Sequence, residues 1–276
     1  MLTSGIYFKN FNKNKKTNNS QINKKFSSLF NEKNYVLDSL KKNYKDNFSE
    51  KLINKYKKYS TFKVIGMGGS TLGTQTIYEF LKDIINKDFI FIDNLRQKKL
   101  KIKNKQSVNL VVSKSGNTIE TVVNSNIYIQ RGDKNIFITE NKNNYLLKLA
   151  NKLKAEIVHH NNYIGGRYSV LSEVGMLPAE LMGLNPNKFR QLNLLIKNKQ
   201  FINNLISGVS STLNYIKNKK YNSIILNYDE KSENLFKWYQ QLVAESLGKK
   251  SKGLLPIVSN MPKDNHSVMQ LYLDGF

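Results

Sequence analysis

The chain has 276 residues, the length of one large or two ordinary domains, with 39% hydrophobic and 11% aromatic side chains, enough apolar surface for a packed core without disulfides or metals. The absence of cysteine excludes thiolate zinc sites, iron–sulfur ligation, a thiol nucleophile and a disulfide scaffold. The formal net charge of +24 invites a nucleic-acid reading, yet only four of the 44 basic side chains are arginine (Arg96, Arg131, Arg167 and Arg190), and the lysines are scattered, so nucleic acid is discounted as a partner.

The first sixteen residues, MLTSGIYFKNFNKNKK, hold no apolar stretch ahead of their lysines, and no run of 18 apolar residues occurs anywhere. Neither a secretory signal nor a membrane span is read, and the expected compartment is the cytoplasm. Residues 1–61 are polar, with short apolar spacings at Phe26, Leu29, Phe30, Leu37 and Leu40, and read as an N-terminal helical arm. From Phe62 the texture changes. FKVIGMGGS reads as a buried strand running into glycines, and TQTIYEFLKDII as a helix.

Further apolar runs follow at Phe89 to Asp93, Ser107 to Gly116, Asn135 to Glu140 and Ala155 to His160. Continuous apolar runs separated by helical stretches are the pattern of parallel strands covered on both faces. Thr118 to Ile129 is β-branched, but its length and its place between two stronger strands predict a crossover helix. The expected fold class is therefore α/β, an open parallel sheet with helices on both faces over 62–185. Asn187 to Lys219 reads as helical, Asn222 to Tyr228 as a strand and Leu235 to Lys250 as a helix, so residues 186–276 are expected to form a helical connection and an incomplete second α/β domain.

Five features carry chemistry. Gly66, Met67, Gly68, Gly69 and Ser70 lie between strand and helix, where bare backbone N–H groups and the helix dipole favour an anion. The spacing fits neither the dinucleotide fingerprint nor a P-loop, and a tight turn explains it equally. Ser113, Lys114, Ser115, Gly116, Asn117 and Thr118 repeat the arrangement at the next strand exit, adding a lysine and three hydroxyls, although Ser and Thr also cap helices. Both loops belong at the C-terminal ends of parallel strands, where ligands bind in such sheets. Together they predict a sugar- or nucleotide-phosphate site.

Arg167, after Gly165 and Gly166, offers a fixed fork for a phosphate or a developing enediolate, and equally for a structural ion pair. Gln241 and Glu245 lie one turn apart on a polar stripe beside Leu235, Trp238 and Leu242, and taken alone Glu245 reads more economically as the partner of Lys249 than as a pocket carboxylate. His266 suits an acid or base, or a cap. No role is read for His159 or His160.

In this order, VIGMGGSTLG, VVSKSGNTIET, GGRYSVLSEVGMLPAELMG, WYQQLVAESLGK and NHSVMQLYLDG resemble the phosphoglucose isomerase (glucose-6-phosphate isomerase) family from Val64 onward. The resemblance implies sugar-isomerase-type α/β domains, a homodimer, and interconversion of glucose 6-phosphate and fructose 6-phosphate through a cis-enediolate, with no metal and no organic cofactor. It implies that Ser113, Lys114, Ser115 and Thr118 grip the phosphate, with Gly68, Gly69 and Ser70 in the same pocket and Glu120 supporting the loop. It makes Glu245 the base, Arg167 the stabiliser of the enediolate, Gln241 a substrate-orienting group, and His266 a ring-opening group reaching in from the partner subunit. Members of the family continue beyond the histidine motif to a helical lysine for which this sequence shows no counterpart. That departure is expected to mark a fragment of a longer product, with a non-catalytic sugar-phosphate-binding module of the same fold as the alternative.

Overall fold

The computed structural model describes residues 19–96 and 107–275. The part of the expected arm in residues 1–18, the reading of no leader there, and Phe276 lie outside the described residues. Three helices come first: α1 (Asn19–Asn31), α2 (Tyr35–Ser39) and α3 (Glu50–Tyr56). Asn34 and Ser49 cap the second and third, their side chains accepting from backbone N–H groups of the first turn as short polar residues do at helix starts. Ile53 and Tyr56 of α3 join the main hydrophobic core.

The central unit alternates β1 (Thr61–Ile65), α4 (Leu72–Leu81), β2 (Asp88–Ile92), β3 (Ser107–Val112), α5 (Ile119–Tyr128), β4 (Lys134–Glu140), α6 (Tyr145–Lys152), β5 (Glu156–His160) and α7 (Glu173–Leu181). All five strands are parallel, in the order β2-β1-β3-β4-β5. The expected α/β sheet is thus the observed one, including the helix over the β-branched Thr118 to Ile129 segment.

Period-2 alternation sends Phe62, Val64, Val108, Leu110, Ile136 and Ile138 to the face covered by α3, α4 and α7. Ile65, Val111 and Phe137 go to the face covered by α6 and the end of α5. Every residue of β1 and β3 is buried, which is why these strands read as continuous apolar runs and not as alternating ones.

Beyond α7 the region expected to be one helical stretch is broken. The helix α8 (Leu192–Lys197) ends at Asn198, whose side chain accepts from Phe201 N–H and starts α9 (Lys199–Lys217). Then β6 (Asn222–Asn227), α10 (Glu233–Leu247) and β7 (Leu255–Asn260) form a βαβ unit with a two-stranded parallel sheet, followed by α11 (Met269–Asp274). The strand β7 escapes the sequence reading because it holds Pro256, a residue that argues against a central strand. Its partner β6 lies on one side only. Among the described residues no helix is long and apolar enough to cross a membrane.

A buried polar cluster ties the first helices to the sheet. Glu173, fully buried at the start of α7, accepts from the Tyr44 hydroxyl at 3.0 Å and from Asn47 N–H at 3.3 Å, and faces His160 Nδ1 at 3.3 Å. Burial pushes the Glu173 carboxyl up, but the His160 hydrogen bond, its own backbone N–H, the proximity of His160 and the Tyr44 hydroxyl outweigh burial and hold it below its ordinary 4.5. A carboxylate favoured in the folded state adds stability above the unfolded value and loses it as pH falls through the lower folded one. The melting temperature of the parent is therefore expected to exceed that of Glu173→Gln just above pH 4.5, and the margin to shrink as the pH drops below it. Thermal melts of both proteins across that range check this, and a margin that persists unchanged in acid contradicts it.

Candidate active site

In a parallel sheet every strand delivers its following loop to the same edge. Here the chain leaves β1 towards β2 on one side and continues from β3 to β4 and β5 on the other, so the path reverses between β1 and β3. The loops Gly66–Ser70 and Ser113–Thr118 flank that crevice. A cleft of about 570 Å³ opens there, lined by Met67, Gly69, Ser70, Ser113, Lys114, Ser115, Thr118, Glu140, Lys142, Asn162, Gly166, Arg167, Gln241 and Glu245. A second cavity, of about 510 Å³, lies at the opposite strand ends around Ser60, Ser107 and Lys134, and holds none of the motif residues.

The Ser113–Thr118 loop is rigid. Gly116 has φ +64°, and a Cβ there would lie 2.0 Å from Asn144 Oδ1, so only glycine fits. Ser113 is buried; its hydroxyl pairs with Thr118 Oγ1 at 2.9 Å and accepts from Gly116 N–H at 3.2 Å. The Lys114 carbonyl accepts from Glu140 N–H at 3.0 Å and from the Thr139 hydroxyl at 3.2 Å. With its backbone so tied, Lys114 extends into the cleft as a charge on a fixed base.

The helix that follows, α5, starts at Thr118 with no side-chain cap. Its neighbour α6 is capped by Asn144, which accepts from Leu147 N–H at 2.8 Å. The threonine expected as a possible cap thus spends its hydroxyl on Ser113, and the first-turn N–H groups of α5 keep no side-chain acceptor of their own. That is the arrangement that accepts an anion.

Gly69 brings two backbones together. A Cβ on it would lie 2.4 Å from the carbonyl carbon of Gly166 and 2.5 Å from Arg167 N, so the β1 loop and the turn Gly166–Leu171 touch main chain to main chain. Gly68 stands behind the cleft lining, against the side-chain amide of Gln241.

Arg167 is fixed on every side. Its Nη1 lies 2.9 Å from Glu245 Oε1, its Nε donates to Ser246 Oγ at 2.9 Å, and its guanidinium carbon sits 4.5 Å from the centre of the Tyr168 ring. Tyr168 OH shares a hydrogen bond of 2.7 Å with the same Ser246 hydroxyl, and Trp238 Nε1 donates to the Arg167 carbonyl at 2.8 Å. Burial pushes the Tyr168 phenol up, but its hydrogen bond to Ser246 and the adjoining Arg167 leave it below its ordinary value.

Glu245 pairs with Arg167, and no ion pair with Lys249 exists among the described residues. The more economical reading of Glu245 as half of a surface helix pair is thereby corrected. Nearly half of its side chain is covered, with 53% exposed against 17% for Arg167. Gln241 Nε2 donates to the other carboxylate oxygen at 3.2 Å, while Gln241 Oε1 is buried and left without a hydrogen-bond partner.

Three expected residues stay outside, Gly68 and two more. Glu120, on the first turn of α5, is half-buried and off the lining. His266 is exposed, in a short turn after β7, and does not line the cleft of its own chain. Conversely, Glu140, Lys142, Asn162 and Ser246 contribute without having been singled out. Only Lys142, a second basic group one loop away from Lys114, carried a signal, and it was lost among so many lysines. Among the described residues no group of three or more His, Asp or Glu could hold a metal ion.

A family model described as phosphoglucose isomerase matches residues 11–253. The chain is 35% identical over 261 residues to a glucose-6-phosphate isomerase of Methanocaldococcus jannaschii, the match covering 84% of this chain and 62% of that one. It is 31% identical over 236 residues to a glucose-6-phosphate isomerase of Mycoplasma capricolum, covering 77% and 55%. The chain thus spans somewhat over half the length of these relatives. Among solved structures, a hypothetical protein of Thermus thermophilus superposes with a TM-score of 0.72 at 21% identity, over 94% of this chain and 68% of that one. A tagatose-6-phosphate ketose/aldose isomerase of Escherichia coli superposes with 0.53 at 14%, over 91% and 65%; at such identities the likeness concerns the fold. With the sequence motifs at Gly66–Ser70, Ser113–Thr118, Arg167 and Glu245 gathered around one cleft and the family model matching most of this chain, the chain belongs to the phosphoglucose isomerase family.

Proposed function

We propose that the chain carries the active site of an aldose–ketose isomerase that interconverts glucose 6-phosphate and fructose 6-phosphate through a cis-enediolate. The observation that carries this reading is the placement of Glu245 and Arg167 across the same cleft from the Ser113–Thr118 loop. The names of the relatives support the substrate, and the family supports the reaction.

The chemistry follows from the two ends of the cleft. The phosphate docks against Lys114, the hydroxyls of Ser70, Ser115 and Thr118 and the open N-terminus of α5, and the bare backbone at Gly69 lets the Arg167 turn approach that site. Ser113, its hydroxyl committed to Thr118 and Gly116, shapes the loop more than it touches the ligand. Binding energy from this remote handle positions the reacting carbons under Glu245. Glu245 takes the proton from C2 and returns it to C1, with the reverse for fructose 6-phosphate, so a single base serves both directions. Arg167, already held by Ser246 and Tyr168, faces the oxygen on which negative charge develops. Gln241, on the cleft wall one turn before Glu245, orients the substrate.

Glu120 acts through the loop it supports, and His266 serves the cleft of a second copy in a homodimer. The cytoplasm is the proposed compartment, 62–185 the first sugar-isomerase-type domain, and 186–276 the start of the second.

The Glu245→Gln variant is expected to lower kcat for glucose 6-phosphate by at least about 100-fold while leaving ligand-induced thermal stabilisation by fructose 6-phosphate in place. A coupled turnover assay and a thermal melt decide it; retained turnover removes the assignment of the base. The Gly69→Ala variant is expected to raise KM by about tenfold or more, because the methyl group meets the Gly166 main chain and pushes the Arg167 turn off the cleft. Unchanged KM and kcat in that variant would show that the close approach has no part in binding.

A further inference from the structure

His160 ends β5, the strand from which the Arg167 turn departs, and it is 2% exposed. Both ring nitrogens face acceptors. Nε2 donates to the Ile164 carbonyl at 3.0 Å, and Nδ1 lies 3.3 Å from Glu173 Oε2. A carbonyl can only accept, so Nε2 carries a hydrogen, and the contact between Nδ1 and the carboxylate is attractive only with a further proton within it. The second carboxylate oxygen is taken by Tyr44 and Asn47.

The far end of the same turn is held by a second buried pair. Arg190, 2% exposed, meets Asp46 at 2.6 Å and donates through Nη2 to the Leu171 carbonyl at 2.9 Å, while its guanidinium carbon lies 4.9 Å from the centre of the Tyr44 ring. Arg167 therefore sits between two clamped carbonyls, three residues after Ile164 and four before Leu171. Tyr44, Asp46 and Arg190 are the other ionisable groups in these contacts.

We propose that the buried His160–Glu173 pair is a positioning device for Arg167, anchoring the Ile164 carbonyl so that the guanidinium reaches Glu245 across the cleft. The pair never touches the ligand, and it acts through the backbone between Ile164 and Arg167. A histidine at a strand end is a costly residue to bury, and here both of its polar atoms are spent on the two sides of one turn. This inference rests on the reading of Arg167 and Glu245 as the reacting groups, so its test carries a readout independent of turnover.

Two variants serve. His160→Asn keeps a donor for Glu173 at the place of Nδ1 but loses the donor to the Ile164 carbonyl, and His160→Ala removes the ring; should the second fail to fold, the first decides. Amide hydrogen exchange of residues 161–168 is expected to accelerate about fivefold or more in folded variant protein, with the central strands β1 and β3 unchanged. In the coupled assay kcat is expected to fall about tenfold with KM for glucose 6-phosphate within about twofold, because the phosphate loop is untouched.

Unchanged exchange in 161–168 overturns the proposal whatever the turnover. Faster exchange with unchanged kcat, in a protein whose Glu245→Gln variant is inactive, also overturns it, because the turn then loosens without consequence for Arg167. Absence of turnover in the parent counts against the reading of the active site and leaves the exchange measurement to decide whether the pair holds the turn.

Discussion

The cleft depends on one contact, the pairing of Arg167 with Glu245. The two residues come from different parts of the fold: the arginine from a turn that β5 feeds, the carboxylate from α10, which belongs to the β6-α10-β7 unit. Neither the sheet nor the helix makes a site alone. The sheet supplies the Gly66–Ser70 and Ser113–Thr118 loops at the point where the chain reverses, and the helix supplies a carboxylate. The guanidinium fork joins them, because its fixed donors can meet Glu245 and Ser246 at once while its face stacks on Tyr168. A lysine in that place would present a single point charge and could not satisfy both neighbours in a fixed geometry.

The same logic accounts for how a chain so rich in lysine uses its few arginines. Arg167 and Arg190 are both largely buried, each against a carboxylate, and each fastens a loop to another element. Arg96 and Arg131 are exposed. The net charge of +24 therefore says little about the site, because the lysines among the described residues are mostly exposed and contribute little to any one contact. Composition gave a large signal with a small meaning, and two of the rarest basic residues carry the structural consequence.

The sheet was legible in the sequence because buried parallel strands write themselves as apolar runs, and Phe62 to Ile65 and Leu110 to Val112 are such runs. The two loops were legible because glycine, serine and lysine at a strand exit have few other uses. What remained hidden is what tertiary contact decides. Glu245 and Lys249 look like a pair along one helix, yet Arg167, distant in sequence, wins the carboxylate. His160 gave no sign, since a histidine is neither apolar nor reliably polar and its partner Glu173 lies beyond a loop. The strand β7 was masked by Pro256, whose missing N–H matters little in a two-stranded sheet with only one neighbour. Glu120 shows the converse: motif spacing fixed its place on α5 without fixing that it would reach the cleft lining.

Burial is uneven, and the unevenness bears on the site. The sheet core around Phe62, Leu110, Phe137 and Ile138 is fully buried, whereas in the β6-α10-β7 unit Leu226, Leu247 and Leu255 are 44%, 48% and 57% exposed. That unit is joined to the rest by the packing of α10 on α4, by Trp238 donating to the Arg167 carbonyl, and by the polar cluster at Ser246. Local stability follows burial, so Glu245 sits on the less buried side of the cleft and the Ser113–Thr118 loop on the more buried one. The distance from the Lys114 loop to Glu245 is set by the few contacts that cross between Arg167 and α10. The hydrogen bonds of Ser246, Tyr168 and Trp238 thus do in this cleft what hydrophobic packing does in the sheet: they fix a distance on which the chemistry depends.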